Sequence, residues 1–517
     1  MLFNSLTFIV GFLPIVLAGY LLLGWLNARR AAIGWLVVTS LFFYGWWSPK
    51  HLPLLVASIL VNFVLGRALA RTRSGKRALL ALGCAFNLGL LGYFKYSGLF
   101  VDSVNGLAGT DWEWTRLILP IGISFYTFQQ IAYLVDVSRG EHPRIPLLDY
   151  CLFVTFFPQL IAGPIVHPRE MLPQFSSGSA FTRVARNLAI GLSIFALGLG
   201  KKVIVADHLA AFVDPIFATV GAGGACTSAE AWLATLGYSF QLYFDFSGYS
   251  DMAIGLGLMF GIRLPVNFLS PYRARSIIDF WRRWHVTLSR FLRDYLYIPL
   301  GGSQRGLSRR YVNLFITMGL GGLWHGAGWN FLIWGLLHGL YLSVNHAWNA
   351  LTDRSAALQR LGQTRLWAPV AWTLTFLAVA VGWVFFRSPD LGSATQLLGA
   401  LVGLQGWSLP LPFQFLLGPL AENLAQLGVV FAREPVLPLR EWVSFLPMLM
   451  LAGVMAVALP NIPEIFRLAD QVRAPVPAVR GVLHWRPTRA WALATTAVFC
   501  ASVFLLERPS VFLYFQF

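Results

Sequence analysis

The residues from Leu6 to Leu26 read LTFIVGFLPIVLAGYLLLGWL and contain no charged side chain. A helix rises about 1.5 Å per residue, so a run of about twenty apolar residues crosses the ~30 Å hydrocarbon core of a bilayer. This run is too long for the apolar core of a signal peptide, and the basic pair Arg29-Arg30 follows it. We therefore expect a retained membrane span.

The composition extends this conclusion to the whole chain. Of the 517 residues, 57% are hydrophobic and only 12% are charged, whereas a soluble globular chain has about 25% charged residues. Mean hydropathy is +0.63. These values exclude a soluble enzyme, a disordered protein and a small disulfide-stabilised scaffold. They predict an all-α polytopic membrane protein.

Further apolar runs predict about a dozen transmembrane helices. Runs of spanning length fall at 31–47, 52–70, 78–100, 117–135, 188–206, 231–262, 328–349, 368–386, 443–460 and 490–507, and shorter or Gly/Pro-broken runs at 147–166, 311–323 and 393–420. We predict one membrane domain over 1–517. Its N-terminal spans lie in 1–135, its catalytic core with re-entrant segments in 136–350, and its C-terminal spans in 351–517.

The charge of the chain is strongly positive, +17 overall. In so apolar a chain this indicates basic cytoplasmic loops rather than nucleic-acid binding. The most basic stretch, 263–310, is predicted to be cytoplasmic, and the alternation of loops places both termini outside. The four cysteines have no spacing typical of a disulfide framework or a metal site; they are Cys84, Cys151, Cys226 and Cys500.

The segment 147–166 conflicts with a simple count of crossings. Arg169, Arg183 and Arg186 follow it, although an outward crossing should end in an acidic or neutral loop. Its interior contains prolines and a glycine, which suit broken backbone surrounded by protein. We expect this segment to enter the membrane and return on the same side.

Familiar catalytic motifs are missing. The sequence has no GxSxG, no HExxH, no Walker A loop and no Asp-x-Asp pair. Polar residues at membrane depth are costly, so they are the candidates for function.

The first candidate is His325, in YVNLFITMGLGGLWHGAGWN (Tyr311–Asn330). The apolar run ends at Leu323, and as a helix it reaches only about 20 Å. Because glycines surround Trp324-His325, we expect the helix to break there and leave an isolated histidine near mid-membrane. A histidine suits general-base catalysis since its ordinary pKa is near 6.5. The alternative is a histidine that only bridges two helices.

The second candidate is His285, in SIIDFWRRWHVTLSRFLRDYLYIP (Ser276–Pro299). Apolar residues recur here at three- and four-residue steps, which predicts one amphipathic helix in the membrane interface. The alternative is an interfacial anchor with an incidental histidine. The arginines of this segment suit an anionic cytoplasmic ligand such as a nucleotide phosphate; they are Arg282, Arg283, Arg290 and Arg293.

A third cluster is QLYFDFSGYSD (Gln241–Asp251), within an apolar stretch. Its acids and hydroxyls either line a polar cavity or connect helices. For His338 and His346, we expect hydrogen bonds between helices.

Four segments carry a resemblance to a known family. They are FFPQLIAGPI (Phe156–Ile165), YFDFSGYSDMAIG (Tyr243–Gly255), DFWRRWHVTLSRFLRDYLYIPLGG (Asp279–Gly302) and GLWHGAGWNFLIWGLLHG (Gly322–Gly339). Together with the C-terminal YFQF, they resemble the membrane-bound O-acyltransferase (MBOAT) family, in its bacterial alginate O-acetyltransferase-like branch. The resemblance extends from the first span to the last residue.

The resemblance implies a fold of tilted helices around a central tunnel. It makes His325 the family's invariant histidine and His285 its second polar position, both catalytic. No metal is implied. The residues expected to bind substrate or line the tunnel are Trp324, Asp245, Ser247, Tyr249, Asp251, Trp281, Trp284, Arg282 and Arg283.

The implied reaction is acyl transfer across a bacterial inner membrane. A thioester donor, acetyl-CoA or another, would enter near 263–310, and His325 would act as general base on a hydroxyl arriving from outside. The resemblance also implies membrane lipid around the chain and, as partners, an SGNH-type acetyltransferase and an exopolysaccharide synthesis complex. The modified polymer would be alginate- or cellulose-like.

Three other functions remain open at this point. Within the same class, the chain could transfer D-alanine to teichoic acid. As a transporter, it would use its histidines as a proton relay, which needs several titratable groups along a path. As a passive scaffold, it would not need His325 for acetylation.

Overall fold

The computed structural model describes residues 1–72, 74–141, 145–176, 181–404, 406–432, 436–468, 483–506 and 512–513. The YFQF motif at 514–517 lies outside these residues.

Helices form most of the described chain. The first are α1 Leu13–Trp25, α2 Arg29–Trp47, α3 Leu52–Arg71, α4 Lys76–Leu91, α5 Ser97–Ala108, α6 Ile123–Ser138, α7 Leu147–Thr155, α8 Phe157–Leu160 and α9 Pro168–Ser176. The central ones are α10 Val184–Gly200, α11 Asp207–Gly221, α12 Ser228–Met259, α13 Ile277–Arg283, α14 Val286–Leu292, α15 Leu307–His325 and α16 Trp329–Arg354. The last are α17 Ala356–Gln363, α18 Trp367–Arg387, α19 Leu391–Leu401, α20 Pro412–Leu417, α21 Pro419–Gln426, α22 Leu439–Val457, α23 Ile462–Ile465 and α24 Arg489–Phe504.

Shorter elements complete the fold. Two strands, β1 Ser408–Pro410 and β2 Val430–Ala432, pair in parallel. Short 3₁₀ turns occur at Pro49–His51 and Pro271–Arg273. Wider π-helical turns, which interrupt or flank α-helices, are formed by Thr7–Phe12, Gly92–Tyr96, Lys201–Ala206 and Arg293–Tyr297.

The predicted class of an all-α membrane protein is confirmed. In the described parts of the chain, six helical stretches are long and apolar enough to cross a membrane: Thr7–Trp25, Pro49–Arg71, Lys76–Ala108, Val184–Gly221, Trp367–Arg387 and Arg440–Val457. The count of about a dozen crossings stays a prediction.

The central helix α12 packs directly on α10. A Cβ added to Gly191 would lie 2.6 Å from the carbonyl oxygen of Gly255, and one added to Gly198 would lie 2.8 Å from that of Gly248. The two backbones therefore touch, as in membrane helix pairs built on small residues. This contact sets α12 deep in the protein.

The segment expected to be re-entrant is two short helices, α7 and α8, followed by irregular backbone. Residues 152–168 are all buried. The broken backbone is surrounded by protein, as its composition requires. Its sidedness stays a prediction.

The expected interruption beside His325 is confirmed, but the helix before it is longer than the apolar run 311–323. Helix α15 continues through the glycines to His325, and the irregular backbone is confined to 326–328. The glycines inside the helix serve packing instead, because a Cβ on Gly322 would clash with the carbonyl oxygen of Phe331 on α16. This close approach offsets the cost of glycine in a helix, about 1 kcal/mol each.

The single amphipathic helix expected at 276–299 is also wrong. The chain breaks between α13 and α14, where His285 has φ +42°. Extended backbone lies beside the break and pairs with it: Leu269 N donates to Arg283 O at 2.9 Å, and Val286 N donates to Asn267 O at 2.9 Å. This long-range pairing stabilises the interruption. His285 is buried rather than at an interface.

Candidate functional site

Two buried histidines meet at the ends of separate elements. His325 is the last residue of α15, and His285 joins α13 to α14. Their ring centroids are 6.1 Å apart, with 4% and 0% of the residues exposed. We call His325 and His285 the histidine pair. The expectation that His325 would be isolated was therefore wrong.

The orientation of His285 is fixed by Asn267. The Oδ1 atom of Asn267 accepts hydrogen bonds from the backbone N of Thr287 (3.3 Å) and from its hydroxyl (2.9 Å). This oxygen also lies 3.0 Å from His285 Nδ1. Because an amide oxygen accepts only, Nδ1 carries the proton and Nε2 presents a lone pair. Among the described residues, the buried Nε2 has no hydrogen-bond partner.

Aromatic rings surround His325. The ring centroids of Trp324, Trp334 and Phe386 lie 5.0, 5.3 and 5.3 Å from that of His325. These rings provide an apolar environment, in which water is excluded and electrostatic interactions are strong.

Lys95 and Tyr96 bind the end of α15, and the sequence interpretation missed both. Lys95 Nζ donates to the carbonyl oxygens of Trp324 (2.5 Å) and His325 (3.0 Å). Tyr96 OH donates to that of Leu323 at 2.7 Å. A signal was present, because Lys95 is a charged residue inside the apolar run 78–100.

The expected roles of His338 and His346 are confirmed. Trp281 Nε1 on α13 donates to His338 Nδ1 on α16 at 3.2 Å, and Arg310 on α15 lies 2.6 Å from His346 Nδ1. Both bonds connect helices. Trp284 packs on Trp383, with ring centroids 4.9 Å apart.

A cavity of about 950 Å³ opens next to the segment that follows His285 in the chain, although neither histidine of the pair is among its lining residues. We call it the arginine cavity. Its basic lining residues are Arg169, Arg263, Arg282, Arg290, Arg293 and His346, and its other lining residues include Glu170, Ser289, Trp281 and Thr287. It has the size of a typical small-molecule site.

The arginines of this cavity differ in their partners. Arg290 forms a two-bond pair with Glu170 (2.6 and 2.9 Å), and Arg293 pairs with Asp294 at 2.7 Å. Among the described residues, Arg263 and Arg282 make no salt bridge. Two cations therefore remain available to an anionic ligand.

Arg283, the neighbour of Arg282, has a different role. It is buried, pairs with Asp279 at 2.8 Å and donates to the carbonyl of Leu269 at 3.3 Å. It is not among the residues that line the arginine cavity. Its contacts support the break before His285.

The inner wall of the cavity is linked to His285 through Thr287 and Asn267. Thr287 lines the cavity and donates to Asn267, the residue that holds His285. Trp281 lines it as well and bonds His338. A ligand in the cavity thus contacts the residues that orient the site.

The acids of the third cluster are ion-paired. Asp245 lies 2.6 Å from Lys202 Nζ, and Asp251 lies 2.7 Å from Lys201 Nζ. Ser247 and Tyr249 are buried on the same helix, α12. None of the four acids and hydroxyls lines the arginine cavity. These contacts connect helices, and a tunnel-lining role stays a prediction.

His167 lies near Arg169 and Arg290, outside the candidate membrane spans. Its Nδ1 is 3.0 Å from Tyr295 OH, which donates to Asp136 at 2.8 Å. Burial, with Arg290 and Arg169 nearby, lowers the pKa of His167 to about 3. The ring is therefore neutral at physiological pH. No sequence pattern pointed to this role, since His167 stands near a loop end.

Within the described ranges, no group of three or more His, Cys, Asp or Glu side chains is arranged to hold a metal ion.

Known proteins are similar to this chain across the region that holds the candidate site. The family model of membrane-bound O-acyltransferases matches residues 138–382, which include the histidine pair. A peptidoglycan O-acetyltransferase of Helicobacter pylori is 46% identical over 439 residues, 79% of this chain and 81% of that protein.

Other relatives extend the match. A probable alginate O-acetylase of Pseudomonas putida is 44% identical over 79% of this chain and 82% of its own length. A probable alginate O-acetylase of Azotobacter vinelandii is 39% identical over the full length of both chains. A teichoic acid D-alanyltransferase of Bacillus subtilis is 27% identical over 52% of this chain.

These similarities confirm the resemblance inferred from the motifs. They cover the segments that carry His285 and His325 and, in one relative, every residue of the chain. They also favour enzyme activity over transport. The chain belongs to the membrane-bound O-acyltransferase family, in the alginate O-acetylase-like branch, and is a multi-pass membrane O-acyltransferase.

Proposed function

We propose that this enzyme passes acetyl groups from a cytoplasmic thioester across the membrane for O-acetylation of an exopolysaccharide. The observation that carries the proposal is the buried histidine pair, in which His285 is linked through Asn267 and Thr287 to a cavity lined with arginines. The names of the relatives support acetyl as the group and a polysaccharide as its destination. An alginate- or cellulose-like polymer is the proposed product.

The proposed donor is acetyl-CoA or another thioester with phosphate groups. Arg263 and Arg282 supply the two available guanidinium groups of the cavity, and guanidinium groups bind phosphate oxygens in pairs of hydrogen bonds. The donor acts as a substrate, and no bound cofactor is needed. This assigns the arginine cavity to the cytoplasmic side.

The proposed chemistry transfers one acyl group. The imidazole of His325 takes the proton of the acceptor hydroxyl while the hydroxyl oxygen attacks the thioester carbonyl carbon. The carbon–sulfur bond then breaks, and the proton passes from the imidazolium to the leaving thiolate. The products are one oxygen ester and one thiol. His285, with Nε2 as an acceptor, orients the reacting groups.

The acceptor is proposed to come from the outer side of a bacterial inner membrane, where both termini also lie. It is a serine of an SGNH-type acetyltransferase or another carrier, within a polysaccharide synthesis complex. Membrane lipid surrounds the helices. Transfer of D-alanine is less favoured, because that relative matches only half of the chain.

The test is complementation of a deletion strain with His325→Ala at matched membrane abundance. We expect polymer at normal yield with its acetyl esters lost. His208→Ala is the control, since His208 lies on α11 outside the site, and it should retain acetylation. Normal acetylation with His325→Ala would leave a scaffold role, and loss of the polymer itself would favour transport.

A further inference from the structure

Three consecutive carbonyls at the end of α15 are held by two consecutive side chains. Tyr96 OH binds the carbonyl of Leu323, and Lys95 Nζ binds those of Trp324 and His325. Both side chains belong to the π-helical turn Gly92–Tyr96. The last turn before the proposed base is therefore fixed from outside its own helix.

The ammonium group of Lys95 is fully used. It has three N–H donors, and its acceptors are the two carbonyls and the hydroxyl of Ser124 at 3.5 Å. The residue is only 9% exposed. Burying a lysine here is costly, so the bonds at this position replace the water that the ammonium group has lost.

The acceptors are of a particular kind. The last carbonyls of a helix have no partner within the helix, and the macrodipole gives that end negative partial charge. A cation at this end is favourable on both counts. The residue after His325 is Gly326, whose backbone is extended at φ −153°, so the helix stops at the histidine.

We propose that Lys95 is a positioning residue for His325. By binding the carbonyl of His325 and that of its neighbour, it fixes the peptide from which the imidazole projects. The inference rests on the proposed function, because it assigns Lys95 a role through the general base. Lys95 itself does not touch the substrate.

The effect on rate follows from geometry. A displacement of about 1 Å in a catalytic group can reduce turnover about 100-fold. In Lys95→Met, the hydrogen bonds from the ammonium group to the carbonyls of Trp324 and His325 are lost while the side chain keeps its length. The end of α15 is then free to shift. The arginine cavity is not lined by Lys95, so donor binding should be unchanged.

The experiment compares Lys95→Met, Tyr96→Phe and Lys50→Met with wild type. Acetyl esters per sugar are measured in cells at matched abundance. Inverted membrane vesicles supplied with labelled acetyl-CoA then give KM and the maximal rate. The maximal rate is divided by the amount of enzyme that binds acetyl-CoA. This normalisation removes any loss of folded protein.

We expect Lys95→Met to lower the maximal rate about 10- to 100-fold with KM within twofold of wild type. Tyr96→Phe loses the hydrogen bond to the carbonyl of Leu323, which is two residues before His325. Its maximal rate should fall about threefold at most. The exposed Lys50→Met should match wild type. Ethylammonium should partly restore Lys95→Ala, because the small cation can occupy the vacated position.

Other outcomes would overturn the inference. A maximal rate within twofold of wild type in Lys95→Met contradicts it, as does a change confined to KM or to the amount of folded protein. His325→Ala, assayed in parallel, separates the two proposals. If His325→Ala is inactive and Lys95→Met is normal, only the inference on Lys95 fails; if His325→Ala is active, the general-base proposal fails.

Discussion

The imidazole rings of His285 and His325 lie 6.1 Å apart between centroids, although forty positions separate them in the chain. Helix α15 delivers one ring and the break between α13 and α14 delivers the other. Asn267 binds the ring of His285, and Lys95 binds the backbone carbonyl of His325. Both histidines are thus anchored by the protein itself, one at its ring and the other at its backbone.

Asn267→Ala should reduce acetylation about tenfold. The substitution removes the acceptor that fixes His285 Nδ1 and the hydroxyl of Thr287. Leaving buried donors without a partner also costs about 1–3 kcal/mol of unfolding free energy. Acetyl esters per sugar are divided by the amount of folded enzyme, measured by gel filtration. The quotient gives the part of the loss that is due to catalysis. If all of the loss followed the folded amount, Asn267 would be structural only.

Arg263→Gln and Arg282→Gln should each raise the KM for acetyl-CoA about tenfold with little change in maximal rate. Both guanidinium groups line the arginine cavity without an ion pair among the described residues, and a hydrogen bond to a charged group contributes about 1.5–3 kcal/mol. Arg305→Gln is the control, because Arg305 is exposed and does not line the cavity. An unchanged KM for acetyl-CoA in both variants would show that the donor does not bind in this cavity.

Lys202→Met should destabilise the protein by about 3–5 kcal/mol, because it leaves the buried carboxylate of Asp245 without its lysine. The double variant Lys202→Met/Asp245→Leu should regain most of that stability. Thermal unfolding in detergent measures both. If acetylation per folded molecule stays normal in the double variant, Asp245 connects helices; if it is lost, a tunnel-lining role is supported.

The stability of the enzyme should fall in acid, in part because of His167. Its pKa is about 3 in the folded protein and about 6.5 in the unfolded chain. Between these values only the unfolded state takes up the proton, so the contribution is complete above pH 6.5 and is lost as pH falls towards 3.

The comparison is made with His167→Gln. Unfolding temperatures at pH 7, 6 and 5 should fall less steeply in this variant, by at most one proton, or about 1.4 kcal/mol per pH unit. His208→Gln should follow wild type. Equal slopes for His167→Gln and wild type would exclude a buried neutral His167 as a source of acid sensitivity.

The membrane class was predictable from composition, because so few charges cannot cover a soluble protein. Of the two helix interruptions, the one beside His325 was predicted from its glycines to within a few residues, and the one at His285 was not. The three- and four-residue periodicity continues across Trp284-His285, and the break depends on backbone bonds to Asn267 and Leu269 that are distant in sequence. Glycines near His325 suggested irregular backbone, yet their lack of side chains allows α15 and α16 to touch.

The charged residues of the site show a similar division. The resemblance to the family, rather than the periodicity of the sequence, predicted that the two histidines belong to one catalytic site. The partners of Asp245 and Asp251 were overlooked, although Lys201 and Lys202 stand within the apolar run 188–206. Such lysines need a partner at membrane depth, so they could have been paired with the acids in advance.

The π-helical turns have a consequence for how the chain tolerates changes in length. Two of them carry the buried lysines, Lys95 in one and Lys201 and Lys202 in the other. A π turn accommodates one more residue than an α turn. Removing one residue there would restore regular helix and rotate each lysine by about 100° away from its acceptors. Single-residue deletions at these turns should therefore be far more damaging than deletions in the exposed loop at 109–116.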